Sequence, residues 1–171
     1  SSGLSGSYNS ALLARGLVLE QHPEKHIHVI DSRATSGQMV LLVRKAQQLI
    51  SAGLPFDQVV SQLEAYNQEL KILFVLCSFQ NLVKNGRLGK VVGFLASKLN
   101  MRVVGGATPA GTIELLYKSR GEGATMTKLV KEMSRLKDLC GKEVVIAHCN
   151  NLPGAQQLKA LVEKAYQGVK V

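Results

Sequence analysis

The opening heptapeptide, SSGLSGS, is the part of the sequence richest in groups that could do chemistry: the hydroxyls of Ser1, Ser2, Ser5 and Ser7, with Gly3 and Gly6 permitting close backbone approach. Leu12, Leu13, Leu17 and Leu19 follow in a pattern compatible with one helix over Tyr8 to Glu20, which puts the loop at a helix N-terminus. Free N–H groups and the positive end of the helix dipole suit such a place to a phosphate or a carboxylate. The simpler alternative is an N-cap with a flexible approach, which needs one Ser only. Gly3-Leu4-Ser5-Gly6-Ser7 also invites comparison with the G-x-S-x-G nucleophile elbow. It fails on residue, because Ser7 stands where the second Gly belongs, and on context, because no strand precedes it.

Other reactive residue types are scattered. His148 ends an apolar run but has no partner in sequence, so a capping or hydrogen-bonded structural role is expected of it. His22, His26 and His28 lack acidic or Cys companions at ligand spacing, and Cys77, Cys140 and Cys149 are odd in number without C-x-x-C spacing. Neither a metal site nor a disulfide framework is indicated, and a reducing cytoplasm fits.

Basic residues form the second pattern. The formal net charge is +9, divided as −1 over residues 1–70 and +10 over residues 71–171. The segment Lys84-Asn85-Gly86-Arg87-Leu88-Gly89-Lys90 belongs to a stretch without acidic residues between Glu69 and Glu114. Cations at a helix start oppose the dipole, so an anion or an acidic partner would explain them, with a solvated basic face as the alternative. Lys118-Ser119-Arg120-Gly121 is a second cationic corner, where Arg120 could clamp a carboxylate or phosphate. A basic nucleic-acid- or phosphate-binding module is thus a competing reading. Against nucleic acid, aromatic residues are only 5%, Trp is absent, and no stacking ladder or helix-turn-helix pattern is present.

The elements that must position these groups alternate along the chain. Ile27 to Ile30 reads as a short strand ending at Asp31, followed by helices over Gln38 to Ala52 and from Pro55 through Tyr66. Lys71 to Leu76 reads as a strand buried on both faces, and helical pieces follow at Phe79 to Lys84 and Arg87 to Lys98. Strands at Met101 to Gly105 and Thr112 to Lys118 are expected to form a hairpin around Pro109-Ala110-Gly111. Helices over Thr125 to Cys140 and Leu152 to Tyr166 flank a strand at Lys142 to His148, and Gly168 to Val171 begins a last one. This is an α/β pattern with a mixed, partly parallel sheet flanked by helices, and the charge step near Leu70 suggests two lobes, 1–70 and 71–171. No stretch is long and apolar enough to span a membrane, and no signal peptide is recognisable.

Taken in order, SSGLSGSYNSA at Ser1 to Ala11, VIDSRATSGQMVLLV at Val29 to Val43, LVKNGRLGK at Leu82 to Lys90, and the hairpin followed by KSRG at Lys118 to Gly121 resemble the DegV family. The resemblance runs over essentially the whole chain, through the VVIAH strand and the last helix. It implies a two-lobed α/β protein that binds a long-chain fatty acid, the acyl chain lying in an apolar tunnel between the lobes. In some members it implies the non-catalytic, fatty-acid-binding subunit of bacterial fatty acid kinase, which presents the carboxylate to a separate ATP-dependent kinase subunit for acyl-phosphate formation. The carboxylate would be held in the serine loop, at Ser2 with Ser1 beside it. Arg87 and Arg120 would contact the kinase partner or phosphate. No catalytic residue, metal or cofactor is implied beyond the bound fatty acid; no nucleic acid is expected, transient membrane contact is allowed, and the location would be cytoplasmic. The family's upstream Thr/Ser loop and its downstream Gly-rich segment with a histidine have no counterpart here, so the chain is expected to be truncated at both ends. Gln38 stands where a Gly is common, and Cys77-Ser78 replaces a usual acidic pair.

Overall fold

The computed structural model describes residues 1–88 and 101–171. The element order is α1 (Ser7–Gln21), α2 (Gly37–Ser51), α3 (Phe56–Glu69), β1 (Leu73–Leu76), α4 (Gln80–Lys84), β2 (Met101–Ala107), β3 (Ile113–Arg120), α5 (Glu122–Leu136) and α6 (Leu152–Ala165). The α/β expectation holds, as helices with a small antiparallel sheet. Most of the helix expected over Arg87 to Lys98, and the Gly89-Lys90 end of the basic motif, lie outside the described residues.

Two compact units emerge: Ser1–Leu70 with Pro109–Thr112, and Lys71–Thr108 with Ile113–Val171. In the first, α2 and α3 pack through Leu49, Val59 and Leu63, with Ile30, Ala46 and Leu54 against them. Each such buried aliphatic side chain contributes roughly 1.5–3 kcal/mol by leaving water. Helix α1 forms as its composition favours, but its apolar residues are not gathered on one face and none is fully buried. Ile27 to Ile30, expected as a strand, pairs in no ladder among the described residues. A β-branched run becomes a strand only where a neighbour takes its backbone groups, and here one of them, the carbonyl of Ile27, is taken by the Arg15 side chain at 2.7 Å.

In the second unit the strands lie in the order β1-β2-β3, antiparallel throughout, with a register irregularity between Val104 and Gly105. Of the expected strand Lys71 to Leu76, Leu73–Leu76 forms; among the described residues it lies at the edge of the sheet, half-buried rather than covered on both faces. Val103 and Leu88 centre an apolar cluster with Phe79, Leu82, Val83, Ile113 and Leu115. Helix α5 packs on the sheet and α6 on α5. Tyr166 secures that second contact, its hydroxyl 2.7 Å from Ser134 Oγ and donating to the Val130 carbonyl at 3.2 Å. Helix α5 starts at Glu122, earlier than the expected Thr125, and stops at Leu136 rather than Cys140. The VVIA run, expected as a strand, joins no ladder among the described residues; next to it Glu143 makes an isolated parallel bridge with Lys170. The short segment after Gly168 supplies that one partner, which is too little pairing for a strand.

Candidate functional site

The serine loop approaches α1 through Gly6, the N-cap residue, which offers no side chain to close the helix. Ser5 and Ser7 face each other with their hydroxyls 2.9 Å apart, and the Ser7 amide donates to Ser5 Oγ at 3.3 Å. Ser1 Oγ is buried and has no hydrogen-bond partner among the described residues. A buried hydroxyl left unpaired costs about 1–3 kcal/mol, so it is a natural place for a ligand acceptor.

Ser2, the residue expected to meet a ligand carboxylate, already meets one from its own chain. Its amide donates to Asp31 Oδ1 at 2.9 Å and its hydroxyl donates to Asp31 Oδ2. The amide of Arg33 also donates to Asp31 Oδ1, at 3.3 Å, and Arg33 Nε lies 3.5 Å from Oδ2. Burial pushes the Asp31 carboxyl up, yet the Ser2 hydroxyl and amide and then the Arg33 amide outweigh it and hold the group below its ordinary value of 3.8. A carboxyl held low in the folded state stabilises fully above its unfolded pKa, and that contribution disappears as pH falls through the lower folded value. Asp31→Asn in the full-length protein should therefore lower the melting temperature at neutral pH, and the gap from the unsubstituted protein should close in thermal scans carried below pH 3.8. A gap that stays constant with pH would contradict this assignment.

Asp31 is itself held from behind. Asn67 of α3 donates through Nδ2 to the Asp31 carbonyl at 2.9 Å, and its Oδ1 accepts from Gln38 Nε2 of α2 at 3.3 Å. Gln38 Nε2 also lies 3.3 Å from the Ser32 carbonyl. Both amides are buried, at 8% exposure for Gln38 and 6% for Asn67, so the departure at Gln38 is a structural part of the site. On the other side, Arg33 Nη1 donates to the Pro109 carbonyl at 3.1 Å, and Gly3 runs directly against Ala110 and Gly111. The 109–112 turn thereby becomes part of the serine-loop unit.

Arg87 and Arg120 belong to the second unit and are both exposed. Arg87 follows α4 and donates to the Asn85 carbonyl at 2.6 Å, and Arg120 ends β3. Arg102, which sequence reasoning did not single out, is more deeply engaged: one Nη donates to Cys77 Sγ and the other to Glu122 Oε2 at 3.1 Å. Glu122 at the start of α5 thus supplies a carboxylate where Cys77-Ser78 brings none. Glu122 Oε1 also accepts from Asn151 Nδ2 at 3.3 Å, and Asn151 caps α6 by accepting from the Gly154 amide at 3.2 Å. His148 takes the hydrogen-bonded role expected of it, with Nδ1 accepting from the Asn151 amide at 3.3 Å. Among the described residues no three His, Cys, Asp or Glu side chains converge as metal ligands, and no helix is long and apolar enough to cross a membrane.

The family model that matches residues 1–171 is that of the DegV family, an uncharacterised protein family by its description. The chain belongs to the DegV family. A DegV domain-containing protein of Streptococcus gordonii is 44% identical over 168 residues, covering 98% of this chain and 59% of that relative. The Streptococcus pneumoniae fatty acid kinase (Fak) B3 protein, solved loaded with linoleic acid, superposes with a TM-score of 0.92 at 42% identity, over 99% of this chain and 61% of that one. A DegV family protein of Eubacterium eligens, solved loaded with heptadecanoic acid, gives a TM-score of 0.91 at 35% identity, over 99% and 62% respectively. The chain thus spans about three-fifths of the length of these DegV relatives.

Proposed function

We propose that the DegV protein containing this chain binds a long-chain fatty acid, holds its carboxylate in the Ser1–Ser7 loop, and presents it to a separate fatty acid kinase subunit. The binding protein makes no covalent change in the ligand. Ser1 and Ser2 are the residues on which the carboxylate site depends, and the exposed Arg87 and Arg120 contact the kinase or the phosphate it transfers. The observation that carries this reading is the loop itself: hydroxyls and the start of α1 gathered at one place, with Ser1 Oγ buried and lacking a partner among the described residues. Two DegV neighbours of high structural similarity that were solved with linoleic and heptadecanoic acid support the ligand class, and the Fak B3 neighbour supports the kinase partner. A carboxylate needs few donors if they are preorganised, and each acyl CH₂ removed from water adds about 0.8 kcal/mol.

Native mass spectrometry of the full-length protein, purified gently, should show a mass increment of one long-chain acid, exchangeable for added oleate. Repeated recovery of lipid-free protein that takes up no added acid would overturn the proposal. Salt-dependent binding of nucleic acid in the same preparation would favour the basic-module alternative.

A further inference from the structure

Three elements of the second unit meet at one corner. Strand β3 finishes at Arg120, α5 starts at Glu122 after the turn at Gly121, and α6 starts at Leu152 behind its cap, Asn151. The Glu122 carboxylate joins them. Its Oε2 accepts from Arg102 of β2 at 3.1 Å and its Oε1 from Asn151 Nδ2 at 3.3 Å. Gly154 makes room for this contact, since a Cβ there would lie 2.6 Å from Glu122 Oε1 and 2.5 Å from Asn151 Nδ2. One negative charge in the first turn of α5 and against the first turn of α6 also suits both helix dipoles.

Arg102 is fixed in turn. It stands opposite Ser119 in the β2–β3 ladder, beside the Met101–Arg120 pair, and its largely buried guanidinium donates to Cys77 through the other Nη. The backbone is therefore held on both sides of Arg120, by the ladder before it and by the Arg102–Glu122–Asn151 chain after it. We infer that Glu122 is a positioning residue for Arg120: it clamps the β3–α5 corner so that the exposed guanidinium is presented at one place. A group already held where it works loses less freedom when its partner arrives. This assignment rests on the reading that Arg120 meets the kinase or the phosphate, but the clamp itself is a property of the protein alone.

Position 77 separates a clamp from a simple counter-charge, because it touches the other Nη of Arg102 and lies outside the corner. The test uses the full-length protein with oleate, ATP and the catalytic subunit of Streptococcus pneumoniae fatty acid kinase. Arg120→Ala and Glu122→Ala should each lower acyl-phosphate formation about tenfold, and Glu122→Ala should add less than about twofold in the Arg120→Ala background. Adding Cys77→Asp to Glu122→Ala returns a carboxylate to Arg102, so the melting temperature should recover while turnover stays low. Turnover that recovers along with stability would overturn the clamp, as would independent effects at Glu122 and Arg120. If Arg120→Ala leaves turnover unchanged, or the unsubstituted protein supports none, the kinase reading falls, and amide hydrogen exchange decides the clamp without a partner. Glu122→Ala should then speed exchange across residues 118–125 about tenfold, uncorrected by Cys77→Asp, and unchanged protection there would overturn the clamp whatever the partner.

Discussion

Gly111→Ala is expected to destabilise the unit formed by Ser1–Leu70 and Pro109–Thr112 by roughly 2–4 kcal/mol and to abolish lipid retention by the full-length protein. Gly111 has φ +76°, a left-handed backbone that costs an L-residue about 1–2 kcal/mol. Its added Cβ would also lie 2.8 Å from Arg33 Cβ and 2.9 Å from the Arg33 Cα and carbonyl oxygen, and backbone cannot yield as a side-chain tip can. Overpacking of this kind adds about 1–3 kcal/mol. The displacement falls on the residue next to Ser32 and Asp31, and on the partner of Gly3, whose own missing Cβ would meet the Ala110 oxygen at 2.5 Å. Serine loop, Asp31 segment and 109–111 turn are stacked backbone on backbone, so shifting one unseats the others. Gly6→Ala is the control: nothing lies within 4 Å of its added Cβ, φ is −72°, and a change within about 0.5 kcal/mol is expected. Urea unfolding of the two variants side by side checks the difference, and equal midpoints would refute the stacked arrangement.

Helices were the most legible part of the chain. Their backbone bonds are satisfied within a few residues, so the apolar spacing of Gln38 to Ala52 or Leu152 to Tyr166 already contains what α2 and α6 need. Strands depend on neighbours. Leu73–Leu76 and the runs at Ile27 and Val144 are all largely apolar, and among the described residues only the first joins a ladder, at its edge. The serine loop was legible because composition alone marks an anion site at a helix start. Asp31 was not, since it reaches Ser2 across 29 residues of sequence. The available signal was its place at the end of an apolar run, directly before Ser32 and Arg33. Nor could spacing show that Gln38 and Asn67 would face inward, because a polar residue on an amphipathic helix is read by default as solvent-facing.

That inward pair yields the second large effect. Asn67→Leu is expected to cost the full-length protein roughly 2–4 kcal/mol, although leucine is close in size and better suited to burial. Asn67 Nδ2 is hydrogen-bonded to the Asp31 carbonyl and Oδ1 to Gln38 Nε2, and leucine leaves the half-buried Asp31 carbonyl without that bond and the buried Gln38 amide with only the Ser32 carbonyl. Each buried group left unpaired costs about 1–3 kcal/mol, more than the extra apolar surface returns. Asp31 would lose the bond that fixes its backbone, so the affinity for a fatty acid should fall even in variant molecules that remain folded. The double substitution Gln38→Leu with Asn67→Leu separates the two costs. It removes the Gln38 group that Asn67→Leu strands, and its unfolding free energy should lie closer to the unsubstituted value than additivity allows, while ligand affinity stays low. Affinity that recovers along with stability would show that Asp31 does not depend on Asn67. Stability that falls additively would show that the two amides do not act as a pair.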